Sequence, residues 1–185
     1  LLSVTRKIPE QNAALKAGAW SDRPKEIDAF RGQLRRIAGT TVGIFGLGSI
    51  GKAFATRVRG FGPEKIIAYD PYVPQTMADL FGVQLVDFDT LLAESDYLTV
   101  HSPATAETNQ IFNIDAFRKM KPSAIFINCA RGPIVDEAGL QEALQTGEIV
   151  AAGIDVTEIE PLDAESPLFK LHNLTISPHI AGTSE

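Results

Sequence analysis

Residues 41–51 read TVGIFGLGSIG, an apolar run that breaks into glycines at 46, 48 and 51 and then continues in a helical pattern. Such a turn either serves only to reverse the chain or seats a phosphate. In a G-x-G-x-x-G spacing, Gly46 permits the tight turn, Gly48 lets a pyrophosphate approach the backbone, and Gly51 lets helix pack on strand. Ser49 and Ile50 complete the first helical turn, whose unpaired N–H groups and partial positive charge favour an anion. The following apolar run, KIIAYD, ends in Asp70, nineteen residues after Gly51. There a carboxylate can accept hydrogen bonds from an adenosine ribose and would repel a 2′-phosphate, which favours NAD over NADP. Asp70 before Pro71 also suits a plain strand-ending turn, but the glycines and the strand order in register with them point to a dinucleotide.

Outward from this turn, short apolar runs alternate with amphipathic stretches. Strands are predicted over 41–45, 65–69, 83–86, 96–101, 124–128, 149–155 and 174–177, with helices over 49–61, 87–93, 114–120 and 136–145. Apolar runs separated by helices are the pattern of a parallel sheet covered on both faces. The expected fold is α/β: a Rossmann-type, doubly wound, mostly parallel sheet of about seven strands. Residues 1–20 are weakly helical, a pattern ended by Asp22 to Pro24, so 1–39 read as a helical arm and connector and 40–185 as one NAD-binding domain. The chain opens on Leu1 within a helical pattern, and its methionines are Met77 and Met120. A piece of a longer protein is expected.

A formal net charge of −6 offers no cationic excess to a phosphate backbone, so nucleic acid is not an expected partner. Cys129 is the single cysteine, which excludes an intrachain disulfide and a multi-cysteine metal site and fits a reducing, cytoplasmic compartment. No apolar run reaches membrane-spanning length, so no membrane partner is expected.

In an open α/β sheet ligands sit beyond the carboxyl ends of the strands. Three ionisable residues fall there: Arg131 in NCARG, Glu160 in GIDVTEIEP and His179 in SPHIAGTS. An Arg, a Glu and a His suffice for a hydride transfer coupled to a proton transfer. Each also has a plain reading, Arg131 as a solvated turn residue and His179 as a half-buried loop residue. Asp155 could close a strand-end turn. His101 reads as structural, His172 as a surface residue, and Cys129 as a small buried hydrophobe beside the site.

The motifs GLGSIG, AYDP, HSPATAET, NCARG with VDEAGL, GIDVTEIEP and SPHIAGTS, in this order, resemble the cofactor-binding domain of the D-isomer-specific 2-hydroxyacid dehydrogenases. The opening RKIPEQNAALKAGAW is similar to that family's first helix. The resemblance implies an NAD-dependent oxidoreductase that interconverts a small 2-hydroxy acid and its 2-oxo acid, of the glyoxylate, hydroxypyruvate or phosphoglycerate kind. Arg131 would then bind the substrate's carboxylate and carbonyl, His179 would be the general acid/base, and Glu160 would hydrogen-bond His179. Asp155, Cys129, Ala130, His101 and Pro103 would line the cofactor, and no metal is implied. Ser49 departs from the pattern, standing where many members carry an arginine that reaches the pyrophosphate. The resemblance further implies a homodimer embraced through the N-terminal arm, and a substrate domain outside this chain, without which the fragment is expected to be inactive. The other reading is an NAD-sensing, dimerising corepressor of the same family.

Overall fold

The computed structural model describes residues 1–183; Ser184 and Glu185, the end of the expected 40–185 domain and of the SPHIAGTS motif, lie outside the described residues. The chain separates into two compact units, the first Leu1–Arg36 and the second beginning at Ile37.

The first unit holds four short helices, α1 (Leu2–Thr5), α2 (Ile8–Lys16), α3 (Ala19–Asp22) and α4 (Pro24–Arg31). Gly18, at φ +82°, breaks the run between α2 and α3. Pro24 was expected to end the helical pattern and instead begins α4. A first-turn proline is tolerated because its missing N–H has no intrahelical partner to lose. The Thr5 carbonyl accepts the Arg35 N–H at 3.2 Å, closing the unit on itself.

The second unit is a seven-stranded sheet of parallel pairs in the order β3-β2-β1-β4-β5-β6-β7. The strands are β1 (Thr41–Phe45), β2 (Lys65–Tyr69), β3 (Gln84–Leu85), β4 (Tyr97–Val100), β5 (Ile125–Asn128), β6 (Ala151–Ile154) and β7 (Leu174–Ile176). The connecting helices are α5 (Ser49–Val58), α6 (Gln75–Asp79), α7 (Phe88–Glu94), α8 (Ile114–Arg118) and α9 (Glu137–Thr146). Every residue of β1, β4, β5 and β6 is buried, as a sheet covered on both faces requires. The order reverses between β1 and β4, and a doubly wound sheet opens its ligand crevice at that reversal.

Aromatic packing fixes the crevice floor. Phe45, the last residue of β1, meets Phe112 edge-on with ring centroids 5.0 Å apart, and Phe112 meets Phe126 of β5 at the same spacing. Such pairs contribute about 0.5–1.5 kcal/mol each beyond the area they bury. The residue after Phe45 is Gly46, so the cluster holds the entry to the glycine turn. In this unit the five-residue α6 was not expected. Its Gln75 side chain bonds Asp79 at 2.7 Å, the Val83 carbonyl at 3.0 Å and the Leu85 N–H at 2.9 Å, contacts that no local periodicity announces.

Candidate active site

The glycine turn is shaped by close approach. Gly46 sits at φ +93°, and a Cβ there would lie 2.9 Å from the Ser102 nitrogen; a Cβ on Gly51 would lie 2.2 Å from the Gly46 oxygen. Side chains are therefore excluded where β1, α5 and the loop after β4 converge. Gly48, the N-cap of α5, differs: a Cβ there meets nothing within 4 Å. The backbone N–H groups at the start of α5 are thus open to an approaching anion. Ser49 and Ile50 are exposed on that first turn.

Asp70 closes one side of this crevice. Its Oδ2 accepts the Leu47 N–H at 2.7 Å and its Oδ1 the Tyr72 N–H at 2.9 Å. The carboxylate thus ties the end of β2 to the glycine turn, and each oxygen keeps further acceptor capacity for a hydroxyl. A cavity of about 220 Å³ is bounded by Gly46, Gly48, Asp70, Tyr72, Ser102 and Pro103. The Ser102 hydroxyl oxygen is shut off from solvent and has no hydrogen-bond partner among the described residues. An open glycine at a helix N-terminus, an orphaned hydroxyl and a strand-end carboxylate around one cavity fit a dinucleotide. His101 contributes backbone here. Its ring turns inward, with Nε2 3.1 Å from Thr99 Oγ1 and its face against Phe54 at 5.3 Å. Burial pushes its pKa down to about 4, so the imidazole is neutral.

The second half of the site is built by two loops. At the end of β5 the buried Asn128 side chain accepts the Ala130 N–H at 3.0 Å and donates to the Arg131 carbonyl at 3.0 Å. It pins the turn Cys129–Ala130–Arg131. Cys129 was expected to be buried and is exposed, because it lies one residue past the strand, on the opposite side from Asn128. Its thiol is nonetheless crowded by protein atoms, and that burial pushes its pKa up and keeps it protonated. The Arg131 guanidinium is exposed, and its Nη1 donates to the Ala130 carbonyl at 2.6 Å. A Cβ on the next residue, Gly132, would lie 1.8 Å from the Thr157 oxygen. The Arg131 loop and the loop after β6 therefore touch backbone to backbone.

Thr157 passes that contact on. Its N–H donates to Glu160 Oε1 at 3.1 Å, while Glu160 Oε2 lies 2.6 Å from His179 Nδ1. Both carboxylate oxygens are thereby directed. The His179 hydrogen bond first, and the Thr157 N–H second, hold the Glu160 carboxyl below the usual glutamate range. His179 itself sits at φ +54°, a left-handed conformation that a non-glycine residue adopts only when its surroundings hold it there.

Asp155 supplies that hold. Its backbone carbonyl accepts the His179 N–H at 2.7 Å. Its buried carboxylate accepts the Ser177 hydroxyl at 2.5 Å and the N–H groups of Ile180 at 3.1 Å and Ala181 at 2.8 Å. Burial alone would raise this carboxyl's pKa, but the Ser177, Ala181 and Ile180 hydrogen bonds outweigh it and the net shift is downward. The bonds that the structure gives the Asp155 carboxylate all run to the loop carrying His179. A cavity of about 400 Å³ opens beside Glu160 and His179, walled by Leu162, Phe169 and Ile176.

Sequence reasoning selected Arg131, Glu160 and His179 but missed Asn128, Thr157 and Ser102. The signal for Asn128 was its place as the last residue of a buried strand, where a polar side chain must find partners. Among the described residues there is no group of three or more His, Cys, Asp or Glu side chains placed to hold a metal, and no helix long and apolar enough to cross a membrane.

Residues 1–181 match the family described as D-isomer specific 2-hydroxyacid dehydrogenase, NAD binding domain. The chain is 45% identical over 184 residues to a D-3-phosphoglycerate dehydrogenase of Archaeoglobus fulgidus, covering 100% of this chain and 33% of that protein. It is 41% identical over 188 residues to a hydroxypyruvate reductase of Thermotoga maritima, covering 58% of it. Among solved structures, the D-isomer specific 2-hydroxyacid dehydrogenase of Lactobacillus delbrueckii ssp. bulgaricus in its NAD-complexed form superposes with a TM-score of 0.80. Identity there is 31%, over 98% of this chain and 56% of that one. The chain thus spans about a third of the length of the D-3-phosphoglycerate dehydrogenase it matches.

Proposed function

We propose, from the premise that this chain belongs to the D-isomer-specific 2-hydroxyacid dehydrogenase family as its NAD-binding domain, that it is the cofactor-holding and proton-transferring part of an NAD-dependent enzyme. The enzyme interconverts a small D-2-hydroxy acid and its 2-oxo acid, of the phosphoglycerate and hydroxypyruvate class. The observation that carries this reading is the 2.6 Å pairing of His179 Nδ1 with a Glu160 carboxylate that is itself fixed by Thr157.

The α5 N-terminus and Gly48 would hold the pyrophosphate, Asp70 the adenosine ribose, and Ser102, Pro103, Cys129 and Ala130 the walls around the cofactor. When bound, the nicotinamide supplies the hydride acceptor for oxidation and the hydride donor for reduction. With Nδ1 committed to Glu160, His179 has Nε2 left for the substrate oxygen. In reduction Nε2–H gives its proton to the developing alkoxide, and in oxidation the neutral Nε2 takes it from the hydroxyl. Glu160, held in its anionic form, stabilises the imidazolium between those events. Arg131 offers a planar fork to the substrate carboxylate, which fixes the reacting carbon relative to His179.

Three further assignments belong to this reading. Residues 1–39 form an arm and 40–185 the NAD domain, while a substrate domain lies outside this chain. The arm's exposed Leu2, Ile8 and Trp20, the last 71% exposed, support pairing with a second copy. The compartment is cytoplasmic. The test is NADH oxidation by the full-length protein with 3-phosphohydroxypyruvate, hydroxypyruvate and glyoxylate. Turnover of at least one, lost in His179→Gln with NADH binding kept, supports the reading. NADH binding without turnover of any of them would move it to the NAD-sensing class.

A further inference from the structure

Three loops leave the carboxyl edge of the sheet after β4, β5 and β6, and one carboxylate joins them. Glu158, in the loop after β6, accepts two hydrogen bonds on its Oε1. One comes from the Glu137 N–H at 3.0 Å, where the loop after β5 enters α9; the other comes from Gln110 Nε2 at 3.2 Å, in the loop after β4. The Glu158 N–H in turn donates to Glu137 Oε1 at 2.6 Å. Each glutamate therefore holds the other's backbone. Gln110 is bonded a second time, its N–H to the Pro133 carbonyl at 2.8 Å, and sits at φ +48°.

Two carboxylates this close repel each other. Burial pushes the Glu137 pKa up, the Glu158 N–H lowers it and the Glu158 charge adds to the rise. Capping α9 does not require that arrangement, because the N-cap residue Asp136 already accepts the Ala138 N–H at 3.2 Å. The reciprocal pair instead ties the loop after β6 to the start of α9 through side chains. Glu158 is two residues from Glu160, and Glu137 closes the loop that carries Arg131. The Gly132–Thr157 contact joins the same two loops at their other end.

We propose that Glu158, with Glu137 and Gln110, is a positioning clasp that sets the Glu160–His179 pair against the Arg131 loop. This rests on the reading of Arg131, Glu160 and His179 as the reacting set. None of the three clasp residues is assigned contact with substrate or cofactor. Their effect passes through Glu160.

The test is histidine-selective nitrogen-15 NMR on the 185-residue chain, whose three histidines keep the spectrum simple. It follows the Nδ1-bound proton that His179 shares with Glu160, in wild type, Glu158→Ala, Glu158→Gln and Asp136→Ala. Glu158→Ala should lose that resonance to solvent exchange, and Glu158→Gln, which keeps a carbonyl acceptor for Glu137 and Gln110, should retain it. Asp136→Ala, which weakens α9 without touching the clasp, should also retain it. Retention of the wild-type signal in Glu158→Ala, equal loss in Asp136→Ala, or absence of the signal from wild type overturns the clasp. In the full-length enzyme Glu158→Ala should lower kcat roughly tenfold to a hundredfold, the scale of a slight misplacement of reacting groups, at unchanged NADH affinity. If wild type turns over no 2-oxo acid, the functional reading fails while the NMR comparison still decides the clasp.

Discussion

His179 Nδ1 and Glu160 Oε2 lie 2.6 Å apart, with His179 held in a left-handed backbone conformation and Glu160 tied through its other oxygen to the Thr157 N–H. Both side chains are partly exposed, yet the pair is fixed from both ends. On the proposed reading His179 carries the transferred proton, so His179→Gln in the full-length enzyme should lower kcat by roughly 10²–10⁴, the usual contribution of a positioned acid/base. Glu160→Gln keeps the shape but not the charge and should fall between the two. NADH affinity, read by fluorescence, should hold within about twofold in both, since neither removes a dinucleotide contact.

Arg131 tests the substrate end. Arg131→Lys keeps a positive charge but loses the planar fork, so KM for the 2-oxo acid should rise and kcat fall in the full-length enzyme. A change in NADH affinity with unaltered KM would place this residue at the cofactor instead.

Asp155 is expected to act through stability as well as through His179. Asp155→Ala strands the Ile180 and Ala181 N–H groups and the Ser177 hydroxyl, a loss of about 2–4 kcal/mol in denaturant unfolding. Asp155→Asn retains an acceptor oxygen and should lose less.

His101 gives a pH signature. Its folded pKa is pushed to about 4 from an ordinary 6.5, so between those values the unfolded chain binds a proton that the folded chain refuses. The stability present above 6.5 is lost as pH falls through this window, by up to about 3 kcal/mol. Unfolding curves at pH 7 and pH 5 should differ less in His101→Gln than in wild type; equal differences would show that the ring is not the source.

The fold was legible where burial wrote it into runs. The bounds of β1 and β2 agree with the expected 41–45 and 65–69 because their middles, Val42 to Phe45 and Ile66 to Ala68, are buried and carry no polar side chain. β6 covers Ala151–Ile154 of the expected 149–155; Ile149 and Asp155 beyond its ends are buried, but outside the sheet ladder. The placement of Arg131, Glu160 and His179 past the ends of β5, β6 and β7 was legible because the apolar runs before them mark where those strands stop. Asn128, Thr157, Gln110 and Glu158 were not, because their meaning lies in side-chain bonds to backbone groups of other loops. Cys129 was misjudged on residue type, when the turn pinned by Asn128 decides which way it faces.

Gly48 offers the most direct test of the account. A Cβ there meets no protein atom within 4 Å and the backbone sits at φ −72°, so Gly48→Val should leave the thermal midpoint close to that of wild type. The same side chain would stand where a pyrophosphate must approach the α5 N-terminus. Titration of both proteins with NADH, followed by fluorescence, should therefore give saturable binding to wild type and a loss of roughly a hundredfold or more in Gly48→Val, the weight of about 3 kcal/mol. Equal NADH affinity in two equally stable proteins would contradict the placement of the cofactor, and with it the site built around it.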